Sequence, residues 1–394
     1  MALVVSGLAA ALTATTAAQA LATCGVFILP VLAPFALPAL GAPPHWIGHQ
    51  VAVIYIAAAC VSSIAGGVIG RYGPARGSQV AMAGTALGAA LIAAGTLWSA
   101  ALGSALIGAS YGLTNPAAST VLSRLAPPAR RNLVFGVKQM GVPLGAALAG
   151  LALPALALAV GWQGAALCVA LVVAGAALGL GVFRGAWDGA RDAGLPLRGA
   201  GGGLKLLRGR PALLSIAVIG AMFSAAQLSL GAYAVTMLVQ EFSWSPVAAG
   251  AVAAALQIAG AVGRLAWAWL ADRTASGFFV LMVLGVMAAA CSLPLPFAIG
   301  WPPAALVVVL CLLGFCAAGW NGVALAEASR LAPPGAAGHA TGAVLSVTFA
   351  GVVTGPTLFA LIFWGVGSYA MAFALLAALP LAGAAIAWRA QQYR

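Results

Sequence analysis

Residues Gly263–Arg273 read GRLAWAWLADR, an apolar segment with one arginine in its interior and an Asp-Arg pair at its end. A helix rises ~1.5 Å per residue, so Arg264 lies about 12 Å from Asp272 along the axis. If Asp272 and Arg273 mark a membrane surface, a hydrocarbon core ~30 Å thick places Arg264 near its midplane. Burying a guanidinium there costs ~2.5 kcal/mol or more, so we predict that Arg264 faces a polar cavity and has a function.

The composition is that of an integral membrane protein. Of the 394 residues, 63% are hydrophobic and only 6% are charged, with a mean hydropathy of +1.09. A soluble fold cannot bury so much apolar surface. The apolar runs have the length of membrane-spanning helices rather than the short alternation of barrel strands, which predicts an all-α membrane protein. The six cysteines form no CxxC motif or His/Cys cluster, so we expect no disulfide framework, metal or cofactor.

The apolar runs predict about twelve spans in two sets. The spans are residues 8–32, 47–69, 79–98, 101–122, 134–158, 162–183, 212–239, 247–270, 277–297, 303–326, 340–363 and 367–388. A Gly-rich, basic stretch between the two sets is the only long linker. We therefore predict an N-terminal six-helix half at 1–184, a cytoplasmic linker at 185–211 and a C-terminal six-helix half at 212–394.

The basic residues predict the orientation in the membrane. Of the 17 Lys and Arg residues, all except Lys138 and Arg264 fall on one side, and the opposite loops contain none. By the positive-inside rule, both termini and the linker are expected in the cytoplasm, with the chain in the inner membrane of the cell. The net charge of +12 therefore indicates membrane orientation and not nucleic-acid binding.

An internal repeat relates the two halves. The sequence SRLAPP occurs at Ser123–Pro128 and again at Ser329–Pro334, an offset of 329 − 123 = 206 positions, and the same offset pairs Asn115 with Asn321. Two six-helix halves related by duplication are typical of transporters whose substrate site lies near the midplane.

The loop before the third span carries a family motif. Residues 66–74 read GGVIGRYGP, and this stretch resembles the G-x-x-x-D-R-x-G-R loop of the major facilitator superfamily. Gly70 stands in place of the aspartate and Pro74 in place of the final basic residue, whereas the second half keeps both charges as Asp272 and Arg273. The resemblance covers nearly the whole chain and implies a secondary transporter with two six-helix halves.

The arginine of the eighth span is the first candidate for substrate binding. Gln257 lies seven residues before Arg264 on the same helical face. The position is similar to that of an arginine in monocarboxylate porters and oxalate–formate exchangers, where it implies binding of a carboxylate. The chain differs from many monocarboxylate porters at Gly260, where they carry an acid, and it lacks their first-helix lysine. The alternative for Arg264 is a structural arginine that snorkels or is neutralised by a neighbouring helix.

A second cation, Lys138, lies inside the fifth span. It is about 9 Å beyond Asn132 by helical rise, a depth at which it either snorkels or faces a cavity. In the superfamily fold the fifth and eighth helices meet, so the resemblance implies that Lys138 and Arg264 approach one cavity that attracts an anion. Four further polar residues on helix faces are candidate neutral contacts, with interhelical hydrogen bonding as their alternative role. They are Gln19, Asn115, Gln227 and Asn321.

Charged residues at the cytoplasmic helix ends predict a gate that stabilises the outward-open state. The gate residues are Arg71, Asp272, Arg273, Glu327 and Arg330. Glu327 and Arg330 have the i,i+3 spacing of a helical ion pair. In the first half Gly70 and Val121 replace the equivalent acids, so we expect the gate to be lopsided.

These observations predict a secondary transporter of a small organic anion, in particular a carboxylate, that works by alternating access as a monomer in the lipid bilayer. Coupling to a proton or a counter-anion, or uniport, stays open. The alternative is a proton-coupled exporter of drugs or hydrophobic metabolites. Its expected fifth-helix motif G-x-x-x-G-P-x-x-G-G is replaced here by GVKQMGVPLG at 136–145, and a membrane acid for proton antiport is not evident.

Three other functional classes, an enzyme, a channel and a sensor, can be distinguished from a transporter. An enzyme is not expected, because the sequence places no catalytic or metal-binding constellation at a shared membrane depth. A channel would show conductance without saturation, and a sensor would bind its ligand without flux.

We expect one class of carboxylate to stabilise the wild-type protein thermally and to lose this effect in Arg264→Ala, because the guanidinium is the predicted anion ligand. The measurement is the thermal unfolding midpoint with mono- and dicarboxylates, sulfonates, and neutral or cationic analogues. Equal stabilisation of both proteins by cations, with none by anions, would make Arg264 structural and favour the exporter.

Overall fold

A computed structural model describes residues 7–43, 46–194 and 205–393. The regular secondary structure of this part of the chain is helical throughout. The helices are α1 Leu8–Val26, α2 Ile28–Leu40, α3 Trp46–Tyr72, α4 Pro74–Ala93, α5 Leu97–Leu125, α6 Arg131–Gln139, α7 Gly141–Gly179, α8 Arg184–Trp187, α9 Pro211–Gln240, α10 Pro246–Thr274, α11 Gly277–Ser292, α12 Pro303–Leu331, α13 Ala337–Val366, α14 Tyr369–Leu376 and α15 Ala378–Ala390. Residues 195–204 of the predicted linker lie outside the described residues.

Each predicted span falls on helical structure. In the described part of the chain, nine helical segments are long and apolar enough to cross a membrane, and the segment at 128–190 contains two predicted spans. The third and fourth predicted spans fall on α4 and α5. Helices are expected here because lipid offers no hydrogen-bond partner to an exposed backbone, and a helix satisfies its own amides and carbonyls.

Three predicted spans are interrupted by a single turn residue, each three residues before a proline. The first span breaks at Phe27 before Pro30, and the fifth breaks at Met140 before Pro143. The last span breaks at Ala377 before Pro380. A proline lacks the N–H that would bond to the carbonyl four residues earlier, and its ring crowds that carbonyl. Each break therefore lies in the helical turn that the proline disrupts.

The reversal between the fifth and sixth spans lies inside α7. Gly161 has φ +77° and ψ 163°, so two helices meet there at a sharp turn. Residues with side chains rarely adopt positive φ, whereas glycine does so without steric cost. The predicted gap between residues 158 and 162 therefore corresponds to a single glycine turn.

Helix starts follow from local capping chemistry. Thr96 and Ser99 form a reciprocal capping box at the start of α5. Ser276 accepts a hydrogen bond from the amide of Phe279 at the start of α11, and Ser368 does the same for Met371 at the start of α14. These side chains satisfy amides that the first helical turn leaves without a partner. Pro74 at the first position of α4 starts that helix five residues earlier than predicted.

The chain forms two compact units. The first contains residues 1–126, 138–209 and 329–346, and the second contains 127–137, 210–328 and 347–394. The predicted halves at 1–184 and 212–394 differ from these units, because 127–137 groups with the second unit and 329–346 with the first.

Close backbone approach organises the first unit. Helix α5 packs on α3 and α4, and α7 packs on α1. A Cβ atom at Gly108 would lie 2.1 Å from the carbonyl oxygen of Ile54, and one at Gly145 would lie 2.1 Å from that of Ala20. Small residues at such contacts let membrane helices associate through backbone packing.

The second unit uses the same kind of contact. Helix α15 packs on α9 and α11. A Cβ atom at Gly263 of α10 would lie 2.1 Å from the carbonyl oxygen of Phe315, and one at Gly351 of α13 would lie 2.0 Å from that of Ala221. Glycine is therefore required where α10 meets α12 and where α13 meets α9.

We expect Gly145→Ala to lower the stability by about 1–3 kcal/mol, because its methyl group would collide with the backbone of α1. The matched control is Gly150→Ala on the same helix, where an added Cβ meets nothing within 4 Å. That variant should match or exceed the wild type by up to ~1 kcal/mol, since alanine favours helix more than glycine. Thermal unfolding midpoints in detergent compare the two, and equal midpoints would contradict the packing account.

Candidate functional site

A buried polar cluster in the first unit is centred on Lys138, near the end of α6. The Lys138 Nζ donates to Gln19 Oε1 at 2.8 Å, to Gln139 Oε1 at 2.9 Å and to Asn115 Oδ1. Lys138 is 1% exposed, and its three partners are equally buried. Helices α1, α5 and α6 thus each contribute to the cluster, which the sequence had predicted only as separate polar residues.

The charge of the ammonium determines how the amides are turned. An ammonium has three donors and no acceptor, so a carboxamide beside it must present its oxygen. The remaining groups of Gln19 continue the network, because its Nε2 donates to Thr23 Oγ1 at 3.4 Å and its Oε1 also accepts from Thr114 Oγ1 at 3.3 Å. The three carboxamide oxygens that accept from Lys138 Nζ are neutral, and they solvate the ammonium.

A cavity of about 320 Å³ lies in the second unit. Stripes on three helices line it, with Gln227 and Gly231 on α9, Gln257 on α10, and Gly314 and Ala318 on α12. The residues that complete the lining are Leu230, Ala234, Ala253, Ala254, Leu256 and Ala317. The wall is therefore apolar and small, with two carboxamides as its polar groups, and its volume suits a small molecule.

The other two predicted site residues belong to the second unit and are not among those that line the cavity. Arg264 lies on α10 and is 5% exposed, two turns after Gln257. Asn321 lies on α12 and is half-buried. The structure thus brings Gln19, Asn115 and Lys138 together in one cluster and Gln227 and Gln257 together around one cavity. Their part in substrate binding stays a prediction.

Asp272 of the predicted gate is bound to the start of α6. Its Oδ1 accepts from the Asn132 amide and from Asn132 Nδ2, both at 2.9 Å, and its Oδ2 accepts from the Leu133 amide at 2.9 Å. These amides belong to the first turn of α6, where the helix dipole favours negative charge. Asp272 therefore caps a helix.

The remaining gate residues lie at helix ends. The Arg273 guanidinium stacks over the Trp269 ring at 5.0 Å, and the Arg71 guanidinium lies 5.7 Å from the Tyr72 ring. Glu327 is buried, and a Cβ atom at Gly277, the first residue of α11, would lie 2.2 Å from its Cγ. Arg330 is in the last turn of α12. The gate function of these five residues stays a prediction.

Sequence reasoning missed the role of Asp188, which it placed in the linker. Asp188 is 5% exposed and accepts hydrogen bonds from the Ala75 amide at 2.7 Å and the Arg76 amide at 3.3 Å. Gly73 has φ +93°, and a Cβ atom there would lie 2.3 Å from Asp188 Oδ1. The start of the linker is therefore docked on the start of α4.

Two neighbouring contacts hold the same segment. The Asp192 amide donates to the Gly70 carbonyl at 3.0 Å, and Arg124 Nη2 donates to the Trp187 carbonyl at 3.1 Å. Asp188 thus supplies a carboxylate at the start of the third predicted span, as Glu327 does at the start of the ninth. The sequence contained one signal for this role. Val121 stands at the position that corresponds to Glu327 in the second half, so the equivalent helix start in the first half had no predicted carboxylate.

Three of the five acidic residues accept hydrogen bonds from amides at helix starts. Glu241 accepts hydrogen bonds from the amides of Tyr369 and Ala370 at the start of α14, and the Ala370 distance is 2.9 Å. In the described part of the chain, His, Cys, Asp and Glu side chains form no group of three that could hold a metal ion.

We expect Asp188→Asn to destabilise the protein by about 0.5–2 kcal/mol, because asparagine has one acceptor oxygen and would turn its NH₂ group toward one of the two α4 amides that now donate to Asp188. Asp192→Asn is the control, since Asp192 is exposed and its carboxylate accepts from the Gly194 amide two residues away. Thermal unfolding of both variants is compared with the wild type. A decrease of the same size in the unfolding midpoints of both variants would contradict this prediction, because it would assign the effect to the loss of any negative charge in the linker.

Comparison with known proteins identifies the family. The profile described as Major Facilitator Superfamily matches residues 15–356 and 239–393. A search of curated protein sequences gives no significant match.

Solved structures share the fold at low sequence identity. The fucose:proton symporter of E. coli is 15% identical with a TM-score of 0.76, and the alignment covers 96% of this chain and 98% of the symporter. The human organic anion transporter MFSD10 is 17% identical with a TM-score of 0.76, covering 95% and 98%. A proton:xylose symporter is 15% identical with a TM-score of 0.71, covering 98% and 96%.

The predicted fold and family are confirmed by this profile match over most of the chain and by the shared architecture. The chain belongs to the major facilitator superfamily and is a multi-pass, all-α membrane transporter with two six-helix halves, not an enzyme.

Proposed function

We propose that this transporter moves a small organic anion, in particular a carboxylate, across the membrane by alternating access. The observation that carries the proposal is the Lys138 cluster. A lysine ammonium is buried within a membrane span and is solvated by three neutral carboxamide oxygens. A fixed positive charge of this kind is expensive in a membrane and is retained where it has a function.

The hydrogen bonds of Lys138 match the donors of an ammonium. Its Nζ has three donors, and three carboxamide oxygens accept from it. In a medium of low dielectric constant, a positive charge attracts an anion far more strongly than it does in water. An anionic substrate therefore gains more binding free energy at such a site than a neutral or cationic one.

The remaining site residues have distinct proposed roles. Arg264, buried in the second unit, binds the anionic group, since a guanidinium offers a planar fork of donors to a carboxylate. Gln227 and Gln257 contact the substrate in the 320 Å³ cavity, whose size favours a small molecule. Gln19, Asn115 and Asn321 complete the neutral contacts.

The placement of the acids supports coupling through the substrate itself. Asp188, Glu241 and Asp272 accept hydrogen bonds from amides at helix starts, so their carboxylates already serve the scaffold. We therefore propose that the charge of the substrate is balanced by a proton or a counter-anion that moves with or against it. The transporter works as a monomer in the inner membrane, with both termini in the cytoplasm and with its two halves at 1–184 and 212–394.

The test is carboxylate uptake and counterflow in proteoliposomes that contain wild-type protein or Lys138→Met. Methionine has a similar length but carries no charge, so it keeps the volume of the side chain and removes the ammonium. We expect transport and binding to fall by at least about tenfold, because the variant removes the positive charge that attracts an anion strongly in a medium of low dielectric constant.

The matched control is Lys205→Met, because Lys205 is the other lysine of the chain and is exposed. It should transport as the wild type does. Unchanged carboxylate flux in Lys138→Met would contradict the proposal. Energy-dependent efflux of hydrophobic cations by the wild type, without carboxylate flux, would favour a drug exporter instead.

A further inference from the structure

One of the two carboxamides that line the cavity is held in a fixed orientation by a tryptophan. Trp320 Nε1 donates to Gln227 Oε1 at 3.1 Å. Both residues belong to the second unit, Gln227 on α9 and Trp320 on α12. Gln227 lines the cavity, whereas Trp320 is not part of the lining and is 2% exposed.

The chemistry of the indole decides which end of the amide faces Trp320. An indole N–H is a donor and never an acceptor, so the group opposite it must be the carbonyl oxygen of Gln227. The ring itself is held, because Phe223 packs edge-on against Trp320 with ring centroids 6.3 Å apart and an interplanar angle of 76°. A flip of the amide would place its NH₂ group against the indole N–H and leave a buried donor without an acceptor, which is costly.

The opposite end of the same amide is thereby assigned to the ligand. With Oε1 bound to Trp320, the Nε2 group of Gln227 is the end that can serve a molecule in the cavity, and it offers two donors. Gln257, the other carboxamide of the lining, lies on α10 and is exposed. Gln257 can turn either end toward a ligand, so Gln227 is the group with a fixed preference.

We propose that Trp320 is a positioning residue that fixes Gln227 as a hydrogen-bond donor, so that this cavity selects an acceptor oxygen of the ligand, such as that of a carboxylate, over a donor-only group such as an ammonium. This inference rests on the proposed function, because it assigns a carboxylate oxygen of the substrate to Gln227. The selectivity arises because a carboxylate oxygen accepts from Gln227 Nε2, whereas an ammonium has only donors and would meet the Nε2 group without an acceptor.

The first experiment compares ligand pairs in wild type and Trp320→Phe. Each carboxylate in a panel from acetate to benzoate is paired with the primary amine of the same skeleton, and binding is measured by calorimetry on purified protein. Phenylalanine keeps an aromatic ring but removes the N–H, so the Gln227 amide becomes free to flip. We expect the carboxylate-to-amine affinity ratio to fall by about five- to tenfold, because the flipped amide offers an acceptor to the ammonium group of the amine.

The matched control is Trp267→Phe in the same unit. Trp267 is also buried and donates from Nε1 to the Phe315 backbone carbonyl at 3.2 Å, but it contacts neither carboxamide of the cavity through a hydrogen bond. This variant loses a tryptophan and an indole hydrogen bond of the same kind and should keep the wild-type affinity ratio. An unchanged ratio in Trp320→Phe, with the wild type binding carboxylates, overturns the inference and leaves the proposed function standing.

The second experiment needs no ligand. In protein labelled at the tryptophan indole nitrogens, Gln227→Leu removes the acceptor of Trp320, so the Trp320 N–H resonance should shift while that of Trp267 stays in place. Absence of this shift overturns the inference whatever the protein binds. Failure of the wild type to bind any carboxylate of the panel, with the shift present, overturns the proposed function and with it the carboxylate assignment.

Discussion

The absence of water from the hydrocarbon core is the constraint on which this structure depends. Every charge placed there must be solvated by the protein, and every helix end must find partners for its first amides. The chain has 5 acidic residues and uses three of them, Asp188, Glu241 and Asp272, as hydrogen-bond acceptors at helix starts. Lys138 is solvated differently, by carboxamide oxygens from neighbouring helices. Carboxylates thus stabilise helix starts, whereas amide oxygens solvate the buried cation.

The fold could be predicted to a large extent because membrane helices are specified by composition and length. The apolar runs, the basic loops and the SRLAPP repeat were sufficient for the number and order of the spans. The helix breaks at Phe27, Met140 and Ala377 were not predicted, although each lies three residues before a proline. Their signal was present, but a hydropathy window averages over the turn that a proline disrupts.

The candidate site was less accessible to sequence reasoning. Helical periodicity placed Gln19 and Asn115 on polar faces, but it carries no information on which faces meet. It therefore could not predict that both would bind Lys138. Asp188 was missed for a different reason, because a carboxylate in a Gly-rich linker has no periodic pattern and its partners lie 113 and 112 positions away in the chain. Trp320 was missed because an apolar helix face conceals the one polar atom of an indole.

The side chains of the two lysines differ greatly in solvent exposure, so reagents that modify amines will distinguish between them. Lys205 is exposed at the end of the linker, whereas Lys138 is 1% exposed and has its ammonium surrounded by amide oxygens. An acylating reagent needs a free, deprotonated amine, so among the lysine side chains it will modify Lys205 quickly. Any modification of Lys138 must wait until the cluster opens. The acylation rate at Lys138 therefore reports how often the hydrogen bonds that residues of α1, α5 and α6 form with its ammonium break.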